Sequence, residues 1–374
     1  MTSTKAEVKT LSIASPITKA DGAVTFVADS PAVATSTITG TSSIVADGSS
    51  TSTVTITILD ANSNPISGIT PTFSATDTGT TNSYNACSST NGSGVSTCTM
   101  TSTKAEVKTL SIATPISKAD GAVTFVAGAA VVANSTITGT SSIVADGSTT
   151  STVTITLIDL NSNPISGITP TFSATDTGTA NSYNACSSSN ASGVSTCTMT
   201  STYAEVKTLS IATPIVDAGG NVTFIADSPA VATSTITGTS SIVADGSSTS
   251  TVTITILDAN SNPILGTTPT FSATDTGTTN SYNACSSTNG SGVSTCTMTS
   301  TYAEVKTLSI ATPIVDAGGS VTFIADSPAV ATSTITGTSS IVADGSATST
   351  ITITILDANS NPISGTTPTF SATD

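Results

Sequence analysis

The sequence predicts an all-β protein, a tandem array of two-sheet β-sandwiches of about one hundred residues each. Three observations carry this. Cys87, Cys186 and Cys285 stand 99 residues apart (285 − 186 = 186 − 87), and the surrounding Tyr-Asn-Ala-Cys stretch is nearly unchanged in each copy. A period of that length is the size of an autonomous domain, too long for a solenoid unit. Thr, Val, Ile and Ser dominate, while helix formers are scarce, and short alternating segments recur about every ten residues.

The elements of one repeat follow in chain order. Gly22–Val27 alternates, with Val24 and Phe26 on one face. Ala28-Asp-Ser-Pro-Ala32 is a short seam between sandwiches, repeated at Ala226 and Ala325. At Ala127-Gly-Ala-Ala-Val131 both Asp and Pro are missing, so this second junction is expected to be the most pliable. Thr53–Leu59 places Val54, Ile56 and Ile58 inward and three threonines outward, the pattern of a half-buried strand. Asp60-Ala-Asn-Ser-Asn-Pro65 is a cluster of turn formers. Ile69–Thr76 is the next strand, with Phe73 and Ala75 inward. In Ala105–Ile112, Val107 and Leu110 lie out of phase, which predicts a bulge or sheet switch near Thr109.

The period divides the chain into 1–31, the C-terminal part of a sandwich, complete sandwiches at 32–130, 131–229 and 230–328, and 329–374, the N-terminal part of another. Met1 occupies the repeat position of Met100, Met199 and Met298, each followed by Thr-Ser-Thr. That phase predicts a window cut from a longer array.

The cysteines pair at a spacing of eleven: Cys87 with Cys98, Cys186 with Cys197, Cys285 with Cys296. Asn91-Gly-Ser-Gly between the first two suits a chain reversal that brings both sulfurs together. Zinc would need four ligands, and two thiolates per repeat without any His cannot supply them. Disulfides are expected, and with them an oxidising compartment. The net charge of −15 argues against nucleic acid and anionic lipid as partners. No apolar run approaches the ~18 residues of a membrane span, so no direct membrane insertion is expected of this segment.

Catalysis has little to work with, since no His is present to serve as a base. Glu7/Lys9, Glu106/Lys108, Glu205/Lys207 and Glu304/Lys306 share a strand face two residues apart, which predicts solvated ion pairs. The sharper alternative is a Lys–Asn or Lys–Asp isopeptide crosslink promoted by the Glu. Asp60-x-Asn62-x-Asn64 matches half of a calcium loop, but Pro65 stands where the loop needs Gly. A plain turn is the better account. Asp29 and Asp47 form a second candidate calcium site, if they converge at a seam. No catalytic or metal-ligating residue is assigned, and no cofactor.

Ile44-Val-Ala-Asp-Gly48, Thr53–Pro65, Pro71-Thr-Phe and Asn91-Gly-Ser-Gly-Val, in that order, resemble the bacterial immunoglobulin-like domain of the intimin/invasin group. Ser63 departs from the glycine usual there. The resemblance implies a tandem array of immunoglobulin-like β-sandwich domains serving as the stalk of a bacterial surface adhesin, outside the cell. Receptor binding in that group belongs to terminal modules and is not implied. Near-identical copies favour length and multiplicity over a unique site. The expected function is a stalk giving length and stiffness, with neighbouring repeats of the same protein as partners. The alternative is a self-assembling extracellular fibre, in which repeats pack against other copies of the chain.

Overall fold

The computed structural model describes residues 1–373, and among them every regular element is a β-strand. Two strands, β1 (Val8–Ile13) and β2 (Lys19–Thr25), form an antiparallel pair at the start. The first complete sandwich follows. Its strands are β3 (Thr37–Gly40), β4 (Ile44–Val45), β5 (Ser52–Thr57), β6 (Thr72–Ala75), β7 (Asn82–Tyr84), β8 (Val95–Ser102), β9 (Val107–Thr114) and β10 (Lys118–Val126). One sheet has the order β3-β5-β8-β7, the other β4-β10-β9-β6. All pairs are antiparallel except β4 with β10, which run parallel. The same two sheets recur across residues 136–225 and 235–324, and Thr334–Gly337 pairs with Ile351–Thr354 at the end.

Alternation sets the core. Val54, Ile56 and Ile58 have no exposed surface and meet Met100, Leu110, Ile112, Val123 and Phe125 from the facing strands. Each fully buried side chain of this kind contributes roughly 1.5–3 kcal/mol. The outward threonines pair across strands, as in Thr39–Thr55–Thr97 and Thr53–Thr99. β-Branched pairs of this kind suit a pleated surface. Strand β6 is shorter than the expected Ile69–Thr76, with Phe73 and Ala75 packed against the core.

The expected irregularity near Thr109 lies elsewhere. Strand β9 is continuous, and the register shift falls on its partner, between Ala119 and Gly121. Val107 is out of phase because it faces solvent, while Lys108 takes the inward position together with Leu110 and Ile112. The shift has a purpose at the sandwich edge. It brings Gly121 against the carbonyl of Ile38, where an added Cβ would stand 2.5 Å from the oxygen. The second sheet thereby closes over the free side of β3.

The free side of β6 is closed differently. The Tyr84 hydroxyl accepts the Ala75 N–H at 3.2 Å and donates to the Ala75 carbonyl at 3.3 Å. One side chain so occupies both outward hydrogen-bonding groups of Ala75, which an added strand would use. Tyr183 and Tyr282 do the same for Ala174 and Ala273. Each tyrosine also meets a phenylalanine edge-on, with ring centroids 5.3 Å apart.

Candidate functional site

The Asp60–Pro65 turn does more than reverse the chain. Asp60 is 1% exposed. Its carboxylate accepts hydrogen bonds from the backbone N–H groups of Asn62 and Asn64 and from Asn64 Nδ2. It also accepts one from the backbone N–H of Asp29 in the seam, at 3.0 Å. Donation from the Asn64 amide comes first among the causes that hold the Asp60 carboxyl down at about 2, with burial working against it. The loop is thus organised by a buried anion with every partner supplied by protein.

Asn64 then reaches out of its own sandwich. Its Oδ1 accepts the Ala6 N–H at 2.8 Å, and its Nδ2 donates to the Thr4 carbonyl at 2.9 Å. The geometry repeats at every junction. Asn163 bonds Ala105 and Thr103, Asn262 bonds Ala204 and Thr202, and Asn361 bonds Ala303 and Thr301, all between 2.8 and 3.0 Å. The asparagine two residues earlier adds another tie: Asn161, Asn260 and Asn359 donate to the carbonyls of Ala46, Ala145 and Ala244. The turn at the head of one sandwich is therefore docked into the tail of the sandwich before it.

The second junction keeps this pattern. Gly128 donates its N–H to Asp159 Oδ2 at 2.9 Å, as Asp227 and Asp326 do to Asp258 and Asp357. Only a backbone N–H is used in that bond, so it survives the loss of the aspartate side chain, while the bond that side chain makes to the following N–H in the other seams is lost. Asn134 also replaces Thr35 in bonding the turn, reaching the Asp159 carbonyl where Thr35 reaches that of Asp60. The docking bonds of the second junction therefore match those of the others despite the missing Asp and Pro.

Ser63 holds φ at 66°, and Ser162, Ser261 and Ser360 match it within a few degrees. This left-handed conformation is where glycine is at ease and serine is not. Ser162→Gly is expected to stabilise the second sandwich by about 0.5–1 kcal/mol, read as a raised unfolding midpoint. An unchanged or lowered midpoint would speak against backbone strain at this turn.

The candidate calcium residues Asp29 and Asp47 themselves belong to different seams, and across the second junction Asp47 lies near Gly128, the counterpart of Asp29, which has no carboxylate to offer. Asp29 lies at the head of the first sandwich, with its Oδ1 on the Ser30 N–H. Asp47 lies at the tail, beside the Ala46 carbonyl that receives Asn161, and its carboxylate is taken by Ser49 and Ser50. Among the described residues no cluster of three His, Cys, Asp or Glu could hold a metal ion.

The Glu–Lys pairs depart from expectation in three of four copies. Lys9 is 40% exposed and solvated as expected. Lys108, Lys207 and Lys306 are fully buried, each with its ammonium 2.6 Å from the Glu carboxylate two residues before it. Asp77, Asp176 and Asp275 stand 3.7–3.9 Å away on the other side. Burial opposes ionisation of Glu106, but the Lys108 ammonium and Thr78 outweigh it and hold the carboxyl below its usual range. Asp77 is likewise lowered: burial opposes, and bonds from Thr81 and Asn82 with the Lys108 charge prevail. Each buried lysine thus sits between two carboxylates, an ion triad where a solvated pair was expected. The difference from Lys9 is that a complete sandwich folds over the aliphatic stem.

Cys87, Cys186 and Cys285 are bonded to Cys98, Cys197 and Cys296, with Cα atoms 4.2–4.3 Å apart. Each bond ties the segment after the Tyr84-type edge to the middle of the β8-type strand, next to the core.

A family model for invasin, domain 3, matches residues 32–128, 131–227 and 230–326. The chain belongs to the invasin domain 3 family. Invasin domain 3 repeats of this kind also superpose on solved structures. FdeC, an Escherichia coli adhesin, aligns at a TM-score of 0.54 and 22% identity over 81% of this chain and 100% of that one. InvD of Yersinia pseudotuberculosis aligns at 0.50 and 21% identity over 77% and 85%. At these identities the likeness shows the fold. No curated protein matches the chain.

Proposed function

We propose that this chain is a stalk segment of a bacterial surface adhesin, holding a binding module away from the cell. The docked junction carries the reading: four successive seams present the same buried aspartate and the same asparagine bonds to the preceding unit. Domains joined by a bare linker would move independently. A turn docked by several hydrogen bonds instead favours one orientation at each joint, repeated along the array. Membership in an invasin family and the three disulfides support a location on the cell surface or outside the cell. The same membership, with no His in the chain, supports a non-catalytic role.

Small-angle scattering on this chain tests the reading. The expected profile is that of a rod, and Asn163→Ala with Asn161→Ala should introduce a bend or hinge at that joint. A flexible-chain profile for the parent protein would sink the stalk. A fibre of laterally packed copies has support in the uncharged threonine face of β3, β5 and β8, whereas the Tyr84 cap on β6 opposes edge-to-edge pairing. Sedimentation separates the two: a monomer at high concentration favours the stalk, and concentration-dependent growth favours the fibre.

A further inference from the structure

The two asparagines of the docked turn have different targets. Asn163 bonds the connection between β8 and β9. Asn161 bonds Ala46, and among the described residues its side chain makes no hydrogen bond within its own sandwich. Ala46 is the residue that follows β4, and its own N–H donates to the Val126 carbonyl at 2.8 Å. It thereby extends the parallel pairing of Ile44 and Val45 with Phe125 and Val126. Ala46 is thus held from both sides, by the last strand of its own sandwich and by the turn of the next.

That pairing joins an early strand of the sandwich to its final one. Because β4 and β10 run parallel, opposed pulls on the two ends of the sandwich slide one strand along the other. The bonds between them then resist together, whereas an antiparallel pair pulled from one end opens bond by bond. We propose that the Asn161-type asparagine is a clamp supplied by the neighbouring sandwich: docking of each sandwich locks the terminal strand pair of the one before it. The same arrangement recurs at Asn260 with Ala145, whose N–H bonds Ile225, and at Asn359 with Ala244, whose N–H bonds Ile324. Each sandwich is consequently more resistant to opening inside the array than alone. The proposal deepens the stalk reading and rests on it only for the source of tension. Its readout below is local, so its failure leaves a rod measured by scattering intact, and a failed rod leaves the clamp standing.

Backbone hydrogen exchange on the full chain carrying Asn161→Ala tests the clamp. The expected result is about fivefold faster exchange at the Ala46 amide, the factor that loss of one ordinary hydrogen bond produces. Ala145 and Ala244 should be unchanged, because Asn260 and Asn359 still hold them. Asn260→Ala should move the effect to Ala145. Asn62→Ala is the control, since the unit before it lacks the Ala46 counterpart, and no amide of this class should respond. Unchanged exchange at Ala46, or equal acceleration at all three alanines, would overturn the proposal.

Discussion

Gly220→Ala is expected to destabilise the second sandwich by about 2–3 kcal/mol, the upper range for overpacking a well-filled site. A Cβ at Gly220 would stand 2.3 Å from the Ile137 carbonyl oxygen and 3.1 Å from its carbon. Both atoms are backbone, so no rotamer change can relieve the contact. The strand Asp217–Ile225 would have to withdraw from Thr136–Gly139, opening the side where the two sheets meet. Its neighbour supplies the comparison. A Cβ at Gly219 has no heavy atom closer than 3.8 Å, and Gly219→Ala should change stability by less than about 0.5 kcal/mol. Calorimetric unfolding of the two variants measures the contrast. Equal effects would mean that backbone freedom, and not the close approach, is what those glycines provide.

Glu205→Gln should cost about 3 kcal/mol, because it leaves the buried Lys207 ammonium short of its nearest counter-charge. Asp176, at 3.7 Å, compensates only in part. Adding Lys207→Met should recover most of the loss, since an apolar chain of similar length needs no partner there. Recovery is the informative outcome: without it, the role of Glu205 is something other than holding the lysine. Acid reaches the same cluster. Burial opposes ionisation of Glu205, but Lys207 and Thr177 prevail and lower its pKa from 4.5. A carboxyl lowered in the folded state adds stability above its unfolded pKa and loses it as pH falls through the folded one. The melting temperature of the parent chain should therefore drop as pH falls below the usual 4.5, and the double variant should drop less.

Much of the fold was legible because its signals are periodic. Val54, Ile56 and Ile58 alternate with threonines, and that pattern has one economical solution, a strand with one face buried. The cysteine pairs flank a turn whose residues are suited to reversal. Lys108 was misread for a physical reason. In sequence a lysine signals solvent, and only the packed structure shows a stem long enough to bury while its charge meets Glu106 and Asp77. The displaced bulge has the same origin, since a polar residue in an inward slot breaks the apparent phase of β9. Asn64 and Asn161 are hidden in the sequence because a turn and a docking peg call for the same residues. The available hint was Ser63, a residue without glycine's freedom where the related domains usually carry glycine. Such strain is tolerated where the surroundings fix the backbone, and here they do.

The joint between sandwiches is built only from residues that every repeat carries. The aspartate, the Asn64-type asparagine and the backbone groups they reach are the same at each seam, the Asn161-type bond recurs at three of them, and the one altered seam keeps the N–H that the aspartate accepts. Any copy can therefore follow any other. Adding or removing one whole 99-residue period would leave the same Asn64-type bonds at every seam. The length of the array can thus change in whole steps of one period while each joint keeps its bonds.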